Sequence, residues 1–178
     1  MPTTLLLDKE EMTRILERLA CEVLERHGQC ERVMLVGIER RGADLARRLG
    51  ALMQQKLQRP LPLGTLDINL YRDDWTSLEG KPHIGQSRIT APVDNAEIIL
   101  IDDVLLSGRT IRAALEALLD YGRPRKVELL VLVDRGHREL PIQADYIGRS
   151  VDTRPQEQVD VLLEERDGRD EVLLTAKN

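Results

Sequence analysis

In Ile98-Ile99-Leu100-Ile101-Asp102-Asp103-Val104-Leu105-Leu106-Ser107-Gly108-Arg109-Thr110, four aliphatic residues run without a break into two aspartates and a small, hydroxylated segment. An uninterrupted aliphatic run of this kind is a strand buried on both faces, as in a parallel sheet covered by helices. The acidic pair marks its expected end. After Thr110 the period changes, because Ile111, Ala114, Leu115, Leu118 and Leu119 recur at helical spacing. Gly122 and Pro124 supply a helix stop. The order is therefore strand, acidic pair, hydroxyl-glycine loop, helix. A helix N-terminus with free amides binds phosphate, and open α/β sheets hold ligands at the carboxyl ends of their strands.

Two carboxylates beside a phosphate loop repel a bare anion. They suit ribose hydroxyls and a hydrated Mg²⁺ instead. Neither GxxxxGK[ST] nor GxGxxG occurs, so the loop is neither a P-loop nor a dinucleotide fingerprint. The plain alternative is a core strand capped by two solvated aspartates. It leaves the Ser107-Gly108-Arg109-Thr110 segment and the helix behind it unexplained.

Working outward, Asp8 and Glu11 form a capping-box pair ahead of the stripe Met12, Ile15, Leu16, Leu19, Ala20, Val23 and Leu24. That helix runs to His27 and Gly28. Val33–Ile38 is a second buried strand, Glu39–Gly42 a turn at its carboxyl end, and Leu45, Leu49, Leu52 and Met53 mark the next helix. Leu66, Ile68 and Leu70 alternate with polar residues and predict a half-buried strand. Residues 72–92 show no period, which in a compact domain marks a loop that is either functional or disordered. Val127–Val133 is another buried strand, followed by the charged loop Asp134–Pro141. Near the end, Val159–Leu163 and Val172–Leu174 flank Asp167-Gly168, a hairpin signal. Strands alternating with helices imply a mostly parallel sheet with right-handed crossovers.

The chain has 178 residues, expected as one domain over 1–178, with a net charge of −5. That charge excludes a generally basic nucleic-acid binder but not a local basic face. One Trp, three Tyr and no Phe exclude a base-stacking platform. Cys21 and Cys30 stand without metal-ligand spacing and suggest a reducing compartment; Cys21, on the apolar stripe, is expected as a small core residue. The start of the chain lacks a signal-peptide pattern and the apolar runs are too short to span a membrane, so the expected location is the cytoplasm.

The 98–110 segment resembles the PRPP-binding signature of type I phosphoribosyltransferases. Further blocks are similar to the PyrR family of pyrimidine-operon regulators with uracil phosphoribosyltransferase activity. They are Val36-Gly37-Ile38 with Arg41-Gly42, Leu70-Tyr71-Arg72-Asp73-Asp74, and Val131-Leu132-Val133-Asp134-Arg135-Gly136-His137-Arg138-Glu139-Leu140-Pro141-Ile142. The resemblance implies the type I phosphoribosyltransferase fold, with a mostly parallel central sheet flanked by helices and a flexible hood loop near Tyr71–Arg88. It implies Val104, Leu105, Leu106, Ser107, Gly108, Arg109 and Thr110 around the PRPP 5′-phosphate. Asp102 and Asp103 fall on the ribose hydroxyls or, through water, on Mg²⁺. Arg40 and Arg41 belong to the pyrophosphate loop, and Arg72 and Arg88 are further pyrophosphate contacts. Asp134, Arg135 and Val159 fall where uracil is recognised, with Asp102, Asp103 and Arg135 as the catalytic set.

The implied reaction is uracil plus PRPP giving UMP and pyrophosphate. The implied second role is attenuation of pyrimidine genes through leader RNA, sensed by UMP or UTP. Candidates for the RNA face are Arg14, Arg18, His137, Arg138 and Arg149. The family often has His at the position of Cys21 and Arg at that of Gln143, so this face is weaker here. The family also implies a homodimer or homotetramer. The alternative is a purine-type phosphoribosyltransferase without RNA binding; Leu106, which cannot transfer a proton to a purine, argues against it.

Overall fold

The structure is a computed structural model, and it describes residues 3–72 and 86–176. Five strands form the central sheet: β2 (Val33–Ile38), β3 (Leu63–Leu66), β4 (Glu97–Leu105), β5 (Lys126–Asp134) and β6 (Tyr146–Ser150). Their spatial order is β3-β2-β4-β5-β6 and every pairing is parallel. Three helices cover it: α1 (Lys9–His27), α2 (Arg41–Leu57) and α3 (Arg109–Leu119). A second, antiparallel sheet of order β1-β8-β7 joins β1 (Thr3–Leu7), β7 (Glu157–Leu162) and β8 (Glu171–Ala176), with the single turn α4 (Glu164–Asp167) between the last two strands.

The aliphatic runs explain the layers. In β4, Ile98 and Leu100 pack with Ile111, Ala114 and Leu118 of α3. Ile99 and Ile101 point the other way, into a core with Leu16, Leu19 and Val23 of α1 and Leu49 and Met53 of α2. Successive strand side chains alternate faces, so a strand between two helix layers must be apolar at every position. All four are essentially unexposed; burying each contributes roughly 1.5–3 kcal/mol, and trimming one to Ala would cost about 2–5 kcal/mol. The capping box forms as read: Glu11 N donates to Asp8 Oδ1 at 2.8 Å and Asp8 N to Glu11 Oε2 at 3.1 Å.

Several expectations need correction. The strand does not end at the acidic pair. β4 stays paired with β5 through Leu105, whereas its pairing with β2 stops at Ile101. Leu66–Leu70 is not a strand: β3 ends at Leu66, and Asn69–Tyr71 is a 3₁₀ turn with Asp67 Oδ1 accepting from Asn69 N at 2.8 Å. α2 begins already at Arg41, so only Glu39 and Arg40 turn. Strands β1 and β6 carry no local sequence signal of their own. Cys21 is exposed, because it lies one residue off the stripe that faces the core; Cys30 is the buried cysteine. The final hairpin exists, but its connection is a helical turn with Gly168 left-handed at φ 71°.

Candidate functional site

β2 stops one residue past Gly37–Ile101 while β4 runs on, and this leaves a notch at the carboxyl edge of the sheet. It lies where the connections diverge: α2 after β2 covers one face, α3 after β4 the other. That is the switch point at which open α/β sheets bind ligands. Two glycines let the chain close on it. A Cβ on Gly42 would meet the Ile101 carbonyl oxygen at 2.4 Å, and one on Gly37 the Ala43 Cα at 2.4 Å. The first turn of α2 therefore lies directly against the ends of β2 and β4. The Glu39–Arg40 peptide is cis.

Asp102 is buried and Asp103 half-buried beside it. Asp103 N donates to Asp102 Oδ1 at 3.0 Å and Val104 N to Asp103 Oδ1 at 2.8 Å. Burial, and then the neighbouring Asp103, push the Asp102 carboxyl well above the usual range. Burial also raises Asp103, although the Val104 amide and the Arg41 guanidinium pull it down. Two carboxyls crowded out of water, both raised by burial, make a pair that gains from cationic or hydroxyl ligands.

Beyond Leu105, whose side chain belongs to the core, the loop turns at Gly108, left-handed at φ 89° and the residue before α3. Glu139 N and Leu140 N donate to the Ser107 carbonyl at 3.0 and 3.2 Å, and Ser107 Oγ accepts from Arg109 N at 3.3 Å. Arg109 Nε donates to Glu139 at 2.6 Å. The loop is thus braced by the 134–142 segment, with the opening amides of α3 at its end.

A cleft of about 650 Å³ lies on this edge, lined by Asp103, Val104, Leu106, Thr110, Arg135, His137, Glu139, Pro155, Glu157, Gln158 and Val159. It brings together Asp103, Thr110, Arg135 and Val159, which the sequence singles out separately. Glu157 and Gln158 are additional; they belong to an edge sheet without a motif of its own. Arg135 is 6% exposed and donates to the Glu157 carbonyl at 2.6 Å, the Arg154 carbonyl at 3.4 Å and Thr153 Oγ1 at 3.2 Å. It shapes the 153–157 wall of the cleft. Asp134 does not line the cleft: its Oδ2 accepts from Arg138 at 2.5 Å and its Oδ1 from Gly136 N at 3.0 Å.

Arg40 is exposed at the start of α2, and Arg41 donates to both oxygens of Asp167 at 3.2 Å. Arg88 pairs through its backbone with Thr65 and lines a neighbouring concavity of about 370 Å³ with Glu39 and Arg47. Arg72 is exposed at the edge of the described segment. The remainder of the expected hood, residues 73–85, lies outside the described residues.

Of the expected basic face, Arg14 and Arg18 share a third concavity of about 370 Å³ with Arg149. Arg18 donates to the Gly148 carbonyl at 2.5 Å and Arg149 to the Leu6 carbonyl at 2.8 Å. His137 is instead in the cleft, with Nε2 2.7 Å from the Thr153 carbonyl. Arg138 braces its own loop, donating to the carbonyls of Leu106 and Ile142 at 2.9 Å each.

The phosphoribosyl transferase domain family matches residues 3–164. The chain is 49% identical over 168 residues to the bifunctional protein PyrR of Syntrophobacter fumaroxidans, covering 94% of this chain and 90% of that protein. It is 46% identical over 178 residues to that of Enterococcus faecalis, covering 100% and 99%. Among solved structures it resembles the hypoxanthine phosphoribosyltransferase of Trypanosoma cruzi, with a TM-score of 0.72, 12% identity and 98% and 97% coverage. It also resembles that of Staphylococcus aureus, with a TM-score of 0.67, 20% identity and 98% and 92% coverage. At such identities the structures show the shared fold alone. With its family matched over most of its length and its relatives nearly half identical, the chain belongs to the PyrR family of phosphoribosyl transferases.

Proposed function

We propose that this chain transfers the phosphoribosyl group of PRPP to N1 of uracil, and that pyrimidine nucleotide in the same cleft governs its binding to the leader RNA of pyrimidine genes. The observation that carries the enzymatic reading is the notch itself. A buried acidic pair, a hydroxyl-glycine loop feeding a helix, and an arginine-bearing turn meet on one edge, with a cleft of mixed polar and apolar lining beside them.

In this reading the α3 amides with Ser107 and Thr110 hold the 5′-phosphate, and Asp102 and Asp103 take the ribose hydroxyls. Arg40 and Arg41 face the diphosphate. Uracil lies against Val159, on a wall kept in shape by Arg135. The C1–O bond to pyrophosphate breaks, the N1–C1 bond forms and the N1 proton is released, giving UMP and pyrophosphate. Preorganised positive charge at the diphosphate end is the main catalytic term, since the developing charge lies there. Closing the site would protect the activated sugar from water.

The donor set fits Mg²⁺. Among the described residues no three acidic, His or Cys side chains gather to cage a metal. Two adjacent carboxylates match an ion that keeps waters and takes its remaining oxygens from substrate. When bound, it would neutralise charge on the departing pyrophosphate.

The purine-type reading is not favoured. The curated relatives at 45–51% identity carry the PyrR name, and Leu106 at the cleft offers no acid. The RNA reading is supported by the clustering of Arg14, Arg18 and Arg149. A homodimer or homotetramer and a cytoplasmic setting belong to the same proposal; no helix of the described residues is long and apolar enough to cross a membrane. Chromatographic detection of UMP from uracil, PRPP and Mg²⁺, against a panel of purine bases, tests the enzymatic reading. Gel shift with leader RNA tests the regulatory one.

A further inference from the structure

The turn between β7 and β8 reaches across to Glu39–Gly42. Arg166 Nε donates to the Asp44 carboxylate, and its Nη2 donates to the Arg40 carbonyl at 3.2 Å. The Glu39 carboxylate lies 3.9 Å from the same guanidinium. The next residue, Asp167, takes Arg41 on both carboxylate oxygens and also accepts from Leu163 N at 2.9 Å. Two consecutive residues, more than 120 positions away in sequence, thus fix both a backbone carbonyl and a side chain of the loop.

We propose that Arg166 and Asp167 are positioning residues. The β7–β8 turn is a latch that presets the Glu39–Arg40 turn and the first turn of α2 for the diphosphate end of PRPP. This rests on the phosphoribosyl-transfer reading above.

The latch is separable from the docking of the hairpin. Arg48 holds Glu165 at 2.5 and 2.8 Å and Asp170 at 2.7 and 2.9 Å, two turns further along α2. Lys9 holds Glu164 at 2.7 Å. These contacts keep the turn in place when Arg166 is removed. Asp44, 2% exposed, keeps Arg47 as a partner, so its buried carboxylate is not left uncompensated. What is lost is the restraint on the Arg40 carbonyl. A loop freed in this way must be ordered when diphosphate binds, and the cost falls on that ligand alone.

The test uses the full chain with Arg166→Leu, Arg166→Lys and Asp167→Asn. Two readings are taken: calorimetric titration with pyrophosphate and Mg²⁺, and steady-state KM for PRPP and uracil. Arg166→Leu should weaken pyrophosphate binding and raise the KM for PRPP about tenfold, with the KM for uracil moving less than about twofold. Arg166→Lys, which can still pair with Asp44, should recover part of the loss. Asp167→Asn, which leaves the Arg166 contacts intact, carries the test if Arg166→Leu does not fold, and should weaken pyrophosphate in the same direction. Unchanged pyrophosphate affinity in the folded variants, or equal shifts for both substrates, would overturn the proposal. Pyrophosphate is titrated directly, so wild-type protein that binds it without forming UMP refutes the choice of acceptor and leaves the latch test standing.

Discussion

Glu128 offers a test of the energetics far from the cleft. It lies near the start of β5, at the opposite edge of the sheet, and is 1% exposed. Its carboxylate accepts from His27 Nε2 and Lys126 Nζ at 2.5 Å each, Arg26 Nη1 at 3.0 Å and Tyr146 OH at 3.1 Å. Burial alone would raise its pKa. The hydrogen bonds from Lys126, His27, Arg26 and Tyr146 outweigh burial and hold it at about 2, against an ordinary 4.5. A difference of that size stabilises the ionised, folded form by about 3 kcal/mol. Because the folded pKa is the lower one, this stability is fully present above about pH 4.5 and is lost as the pH falls toward 2. Glu128→Gln should therefore lower the unfolding free energy at pH 7 by about 3 kcal/mol, or roughly 6–12 °C in Tm for a chain of this size. Urea unfolding of both proteins from pH 7 down to pH 4 measures it. The gap should be constant at neutral pH and begin to narrow near pH 4.5, with turnover at 25 °C unchanged. A gap under about 1 kcal/mol, or one as wide at pH 4 as at pH 7, would refute the reasoning.

The acidic pair should behave in the opposite way. Burial and the nearby Asp103 raise the Asp102 carboxyl, so its ionised form is disfavoured by folding and its contribution to stability improves as pH falls. Asp102→Asn should then melt no lower than wild type at pH 7.5 while turnover falls at least about tenfold; turnover equal to wild type contradicts the assignment, and a clearly lowered Tm contradicts the burial argument. For RNA, replacing Arg14 and Arg18 with Glu should abolish the gel shift with leader RNA. Wild-type binding should weaken steeply with salt, since the net charge of −5 leaves only a local patch to carry it. Cys21→His with Gln143→Arg should strengthen binding, and UMP should tighten it; a titration flat in all these proteins removes the regulatory role.

The parts of the fold that can be read from sequence are those whose cause is local. Ile98–Ile101 must be a doubly covered strand because no other element buries four consecutive aliphatics, and the stripe from Met12 to Leu24 with its capping box has a single helical solution. What escapes is set by distant partners. β1 is a strand only because β8, some 170 residues later, pairs with it. β6 has a polar edge and a glycine whose Cβ would meet the Leu132 carbonyl at 2.3 Å, so its pattern shows no strand period. Asp102 and Asp103 remain in β4 because the ladder to β5 continues past them, which composition cannot reveal. The site divides in the same way. The acidic pair and the loop to Thr110 are contiguous and legible. Arg135 and Arg138 look like ligand-facing charges, and both also donate to carbonyls of the loops around them, a bracing role that composition does not reveal. Glu157, Arg166 and Asp167 reach the site only through the edge sheet.

The most direct measurement is UMP formation by the full chain from uracil, PRPP and Mg²⁺, followed beside hypoxanthine and guanine and repeated with Asp103→Asn. The cleft predicts one UMP and one pyrophosphate for each uracil consumed, no purine nucleotide, and a rate at least about tenfold lower in the variant. Purine nucleotide in place of UMP, no turnover of any base by the folded protein, or an Asp103→Asn enzyme as fast as wild type would contradict it.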